Sequence, residues 1–209
     1  MKIRALIGAC TLVSLAVVSG CNNTPQPPPA TSAPQSGNSS SAVLPHDGAP
    51  KVETPLPGST LSADPCQTGL TPSQVETVLG SGQKRQDSGA GSQLGPSCAW
   101  SNLDTGANVV VAYDTKSQQG LSGVYQNTKP QAVVWRVLSP IQGFPAVAHA
   151  TSGVAADQNC QVSVGVSDQE TVDVSIGLSS AKKGTKDPCE VTERTADLVM
   201  TNLKHKAGS

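Results

Sequence analysis

The chain has 209 residues, with 14 Lys and Arg against 15 Asp and Glu, and its net charge of −1 argues against bulk nucleic-acid binding. Two Trp, two Tyr and one Phe are few for a core, so the interior has to be built mainly of Val, Leu, Ile and Ala, in one domain of ordinary size. Six cysteines in such a chain make the redox compartment the next question.

Lys2 and Arg4 precede an apolar run from Ala5 to Val18 and the quartet Val18-Ser19-Gly20-Cys21. A charged start, a short apolar stretch and small residues before a cut site make a secretory signal peptide, expected here over residues 1–20. The run falls short of the roughly 20 apolar residues that a membrane-spanning helix needs. The quartet resembles a bacterial lipobox, in which the cysteine thiol takes a diacylglyceryl group and the new N-terminus an acyl chain such as palmitate. Cys21 is therefore the expected lipidation site. Each buried methylene contributes about 0.8 kcal/mol, so two or three chains anchor a protein firmly. The expected location is extracytoplasmic, on a lipid anchor in the cell membrane.

Residues 21–60 are rich in Pro, Ser, Thr and Gly and contain no aromatic residue. Such a composition cannot bury enough surface to offset its ordering entropy, so a disordered tether is expected. As a coil it would span roughly 35 Å on average. The single folded domain is expected over residues 61–209.

Within that domain, Asp64-Pro65-Cys66-Gln67 and Asp187-Pro188-Cys189-Glu190 are near copies, each with a capping Asp and a Pro suited to the first helical position. Thr71-Pro72-Ser73-Gln74 reads as a capping box, and Gly80 ends the helix that it starts. Ser81–Pro96 reads as a polar, glycine-rich loop. Cys98–Asn102 and Asn108–Tyr113 read as a hairpin, with Val109, Val111 and Tyr113 on one face. Leu121, Val124 and Tyr125 have helical spacing, which places a helix over Thr115–Asn127. Ala132–Leu138 and Ala146–Thr151 read as strands. The clearest alternation follows: Val162, Val164 and Val166, a turn at Ser167–Glu170, then Val172, Val174, Ile176 and Leu178. Asp187–Lys204 closes the chain as an amphipathic helix. The expected fold class is α+β: a twisted antiparallel sheet of five or six strands, with N- and C-terminal helices packed on one face.

Removal of Cys10 with the signal and lipidation of Cys21 leave Cys66, Cys98, Cys160 and Cys189, an even number that implies two disulfides in an exported chain. Pairing each helix-start cysteine with the nearer strand cysteine yields Cys66–Cys98 and Cys160–Cys189; the other two connectivities remain open. There is no C-x-x-C pair for redox work, and His46, His149 and His205 are scattered, so neither a metal site nor a cofactor is expected.

The lipobox, the Pro/Ser tether, Asp64-Pro65-Cys66, Cys98-Ala99-Trp100, Gly143-Phe144-Pro145-Ala146-Val147-Ala148, Cys160 opening a valine strand and the final Cys189 helix resemble, in that order, an actinobacterial lipoprotein family of unknown function, domain of unknown function 3558. The resemblance implies an exported envelope protein of a high-GC Gram-positive bacterium and supplies no catalytic residues. Phe144 and Pro145 depart from the family's usual Gly-Leu-Gly form.

Catalytic signatures are scarce. Neither a Gly-x-Ser-x-Gly elbow nor a P-loop occurs, and the Ser-x-x-Lys pairs in Ser179–Lys183 lack the other motifs of penicillin-binding enzymes. The expected function is non-catalytic: a ligand-binding or accessory module for a small ligand, lipid or wall polymer, with Tyr125, Trp135 and Phe144 as candidate binding residues. A protein-interaction partner of an envelope complex is the alternative, and an enzyme comes third. A buried histidine–carboxylate–nucleophile cluster would favour the enzyme.

Overall fold

The computed structural model describes residues 43–87 and 93–208. The expected signal peptide, Cys21, most of the expected tether and part of the Ser81–Pro96 loop lie outside the described residues.

The strands are β1 (Lys84–Asp87), β2 (Ser97–Asn102), β3 (Ala107–Asp114), β4 (Ala132–Val137), β5 (Ala146–Thr151), β6 (Asn159–Gly165) and β7 (Thr171–Gly177). All pair antiparallel in one sheet of order β1-β2-β3-β7-β6-β5-β4. The helices are α1 (Pro65–Thr68), α2 (Pro72–Leu79), α3 (Gly120–Gly123), which runs on into a π turn at Val124–Thr128, and α4 (Pro188–Ala207). The α+β class stands, with seven strands among the described residues where five or six were expected. The additional strand is β1, read as loop because Lys84-Arg85-Gln86-Asp87 has no apolar position. It is held by its ladder to β2, from Lys84 opposite Ser101 to Asp87 opposite Cys98.

Alternation divides the sheet into two unlike faces. On the first, Val111, Val174, Val162 and Ala148 lie side by side across β3, β7, β6 and β5. This valine surface is buried under α4 over β5 to β7, and under α1 and α2 over β3; Cys189, Thr192, Ala196, Val199, Met200 and Leu203 of α4 recur at helical spacing. Val75 and Leu79 of α2 join the same core, and the Tyr113 hydroxyl pairs with Thr68 Oγ1 of α1 at 2.9 Å. The helix starts form as their sequences require. Asp64 accepts from the Cys66 N–H and Asp187 from the Cys189 N–H, each at 2.8 Å. Thr71 and Gln74 cap one another's N–H groups.

Two expectations need correction. The folded unit begins well before residue 61, because Val52 and Leu56 are buried in the core. The Val52 N–H donates to Asp168 Oδ1 and the Leu56 N–H to the Val166 carbonyl, each at 2.9 Å. Residues 49–57 thus form a strap in which Val52 and Leu56 enter the core, and Pro50, Pro55 and Pro57 have no N–H to satisfy. The second correction concerns Thr115–Asn127, which is not one regular helix. Its α3 and π turn lie on the second face, where Leu121 and Tyr125 pack on Val147 and Trp135. Gly120 permits this docking: it has φ +50°, and a Cβ there would collide with the Asp168 backbone.

The disulfides are Cys66–Cys98 and Cys160–Cys189, each with Cα atoms 5.0 Å apart. They join α1 to β2 and α4 to β6. Closing loops of this length stabilises a domain by about 3–4 kcal/mol in the chain-entropy view. The double variant Cys160→Ala/Cys189→Ala is expected to lose about that much in chemical denaturation. Non-reducing peptide mapping should recover these two pairs; a Cys66–Cys160 cross-link would contradict the fold.

Candidate functional site

The second face of the sheet is polar where the first is aliphatic. One row across it runs Ser175, Gln161, His149 and Trp135, on β7, β6, β5 and β4. The neighbouring row runs Asp173, Ser163 and Val147. These are the alternate positions of the same strands whose other residues build the valine core.

Hydrogen bonds join the rows into one network. Ser163 Oγ donates to Asp173 Oδ1 at 2.5 Å and Thr171 Oγ1 donates to Asp173 Oδ2 at 2.9 Å. Gln161 Nε2 donates to Asp173 Oδ1 at 3.3 Å, and Ser175 Oγ donates to Gln161 Oε1 at 3.3 Å. The Ser163 proton is committed to Asp173, so His149 Nε2, 3.1 Å from Ser163 Oγ, is the donor of that pair. The neutral imidazole then keeps Nδ1 as an acceptor. Burial pushes the His149 imidazole down to about 4. Burial also pushes the Asp173 carboxyl up, opposed by the bonds from Ser163, Thr171 and Gln161 and aided by the nearby Asp114 carboxylate.

His149, Ser163 and Asp173 are a histidine, a hydroxyl and a carboxylate in contact, but in an order unlike that of a hydrolase triad. There, histidine sits in the centre, takes the serine proton and is oriented by the acid. Here serine sits in the centre, with its proton on the acid side, and its side chain is fully buried. The arrangement ties β5, β6 and β7 together on this face.

Beside the network lies a cavity of about 360 Å³, lined by Asn108, Thr128, His149, Thr151, Gln161 and Ser175. Val154 stands at it as an apolar, half-exposed side chain. Among the described residues, no Asp, Glu, Lys or Arg lines it.

Of the candidate binding residues, the fold brings Tyr125 and Trp135 together, edge to face with ring centroids 5.0 Å apart. Trp135 stacks on His149 at 6.1 Å, and Lys129 Nζ lies 5.1 Å from the Tyr125 ring and 5.6 Å from the Trp135 ring. Phe144 is elsewhere: it pairs with Ile141 across a turn whose central residues Gln142 and Gly143 have positive φ, and it is buried in the helix-side core. Lipidation at Cys21 falls outside the described residues. Among the described residues, no three His, Cys, Asp or Glu groups are placed to hold a metal ion, and no helix is long and apolar enough to cross a membrane.

A family model described as "Protein of unknown function (DUF3558)" matches residues 16–202. The chain belongs to this family. No curated protein and no solved structure matches it. The DUF3558 fold thus has to be read from its own residues, and several on the polar face escaped sequence reasoning. His149 looked like a lone histidine because nothing local couples it to Ser163 or Asp173. The usable signal was weak: all three occupy the polar position of an alternating strand.

The network sets an acid response for this DUF3558 domain. The folded His149 titrates near 4 and the unfolded one near 6.5, so the unfolded state takes up its proton first as pH falls. His149 should therefore cost stability progressively below pH about 6.5, reaching about 3 kcal/mol by pH 4, while Asp173, raised in the fold, contributes in the opposite sense at the acid end. His149→Gln is expected to flatten the decline between pH 6.5 and 4 in chemical denaturation, and an unchanged slope would contradict the assignment.

Proposed function

We propose that this chain is a lipid-anchored extracytoplasmic protein of the bacterial cell envelope, and that its folded domain is a non-catalytic binding module holding a small ligand in the cavity beside His149. The anchor rests on the lipobox at Cys21 and the export signal before it. Two disulfides suit an oxidising compartment. The observation that carries the binding reading is the cavity itself. Its volume of about 360 Å³ falls within the range of small-molecule sites, roughly 300–1,000 Å³, and several fixed hydrogen-bonding groups converge on it. The two faces of the sheet support the same reading, since a purely structural face this close to the core would more simply be aliphatic.

One observation favours interaction with another envelope protein as a second reading. β4 ends the sheet with an unpaired edge, and Val133 and Val137 on it are 59% and 64% exposed.

Two measurements test the proposal. Cys21→Ala should shift the protein from the membrane fraction to the soluble one; continued membrane retention would overturn the anchor. Protein purified from its own envelope should release a small molecule on denaturation, detected by mass spectrometry. Val154→Trp, which fills the rim of the cavity, should abolish it. A co-purifying protein that survives Val154→Trp but is lost on Val137→Lys, with no small molecule present, would favour the second reading.

A further inference from the structure

Resting on the binding reading above, we infer that the cavity beside His149 takes an uncharged, hydroxyl-rich ligand, a mono- or disaccharide being the class that fits. An ionic ligand brought into a half-enclosed site needs an opposite charge or loses its hydration without return. The lining offers none, and Asp173, the nearest acid of the network, has its oxygens engaged by Ser163, Gln161 and Thr171.

Asn108 and Gln161 carry carboxamides, each both donor and acceptor, and Thr128, Thr151 and Ser175 carry hydroxyls. A sugar hydroxyl is also donor and acceptor at once, so it can satisfy either half of a carboxamide. A purely apolar ligand would instead strip water from Asn108, Thr128 and Thr151 without replacing its hydrogen bonds, whereas Gln161 and Ser175 keep the bond that they make to each other.

Ser175 Oγ is bonded to Gln161 Oε1, and Gln161 Nε2 to Asp173 Oδ1, so the carboxamide is held in one rotamer by groups beneath it. His149 is held likewise through Ser163 on one side and Trp135 stacked on its ring. Fixed polar groups lose little entropy when a ligand arrives. Val154 adds apolar surface to the lining, which suits the C–H face of a pyranose ring. The Trp135 ring is occupied by His149 and Tyr125, so recognition falls to the amides and hydroxyls rather than to stacking on an aromatic platform.

The test is calorimetric titration of the full chain in lipid nanodiscs with glucose, maltose and N-acetylglucosamine, set against glucosamine, glucose 6-phosphate and decanol. At least one neutral saccharide should bind at millimolar concentration or below, and binding should vanish in Val154→Trp. Asn108→Ala should weaken it about three- to tenfold, as the loss of one hydrogen bond requires. Gln161→Ala should do at least as much, and thermal melts of both variants check that the fold is intact. The charged analogues should bind more than about tenfold more weakly than their neutral parent. Binding of decanol or a charged probe in preference to the sugars, abolished by Val154→Trp, would overturn the ligand class while leaving the cavity as the binding site. Absence of Val154-sensitive binding by every probe overturns this inference. If the envelope-purified protein then also releases no small molecule, the binding reading fails with it.

Discussion

The centre of this structure is a valine surface that has to be covered. β-Branched residues on β3, β6 and β7 form one continuous apolar face, and with so few aromatic rings available there is little else to build a core from. A helix laid across that face buries it, and the Cys160–Cys189 bond determines where the helix begins. Because Cys189 sits in the first turn of α4, the bond sets both position and register at once, and the small Ala196 and slender Val199 then lie against the strands without a gap. Cys66–Cys98 does the same for the short α1, which is too brief to hold a fixed place on the sheet by packing alone.

Covering one face leaves the other to be dealt with. Here the chain uses polar residues at the alternate positions and satisfies them with one another, so that β5, β6 and β7 are cross-linked by side chains as well as by their backbone ladders. Such a network is costly if any member is left without a partner, and it rigidifies the face when all are satisfied. The partial roof of α3 and its π turn closes over Val147 and Trp135 but stops short of Gln161 and Ser175. The cavity is therefore a product of how far the roof extends, and Gly120 and Gly165, which let the α3 segment approach the sheet closely, help set that limit.

Much of the first face was legible in the sequence. The duplicate Asp-Pro-Cys starts, the capping box at Thr71 and the alternation of Val162 to Ile176 each rest on local chemistry, and local chemistry is what a sequence displays. The parts that were not legible depend on partners far away in the chain. β1 exists because β2 offers it a ladder, although Lys84 to Asp87 carry no apolar pattern. Val52 and Leu56 read as stray aliphatics in a proline-rich stretch until a core is there to receive them. Phe144 was a candidate binding residue by its type, yet the turn at Gln142 and Gly143 folds it into the helix-side core. The polar face was legible as polar, but the meeting of His149 with Ser163 and Asp173 is set by strand order, which no spacing in the sequence reveals.

The strap of residues 49–57 has a mechanical meaning. A pull along the preceding residues would meet first the His46 N–H, which donates to Ser122 Oγ at 2.9 Å, and then the strap. Its attachments to the β6–β7 turn are two hydrogen bonds and two aliphatic side chains, so it can peel away in small steps. Beyond it Thr60 and Leu61 are buried in the core, and at Cys66 a covalent bond leads into β2, a strand with a ladder on each side. Under such a pull the strap would yield in steps, and the covalent link at Cys66 would hold the sheet that shapes the cavity.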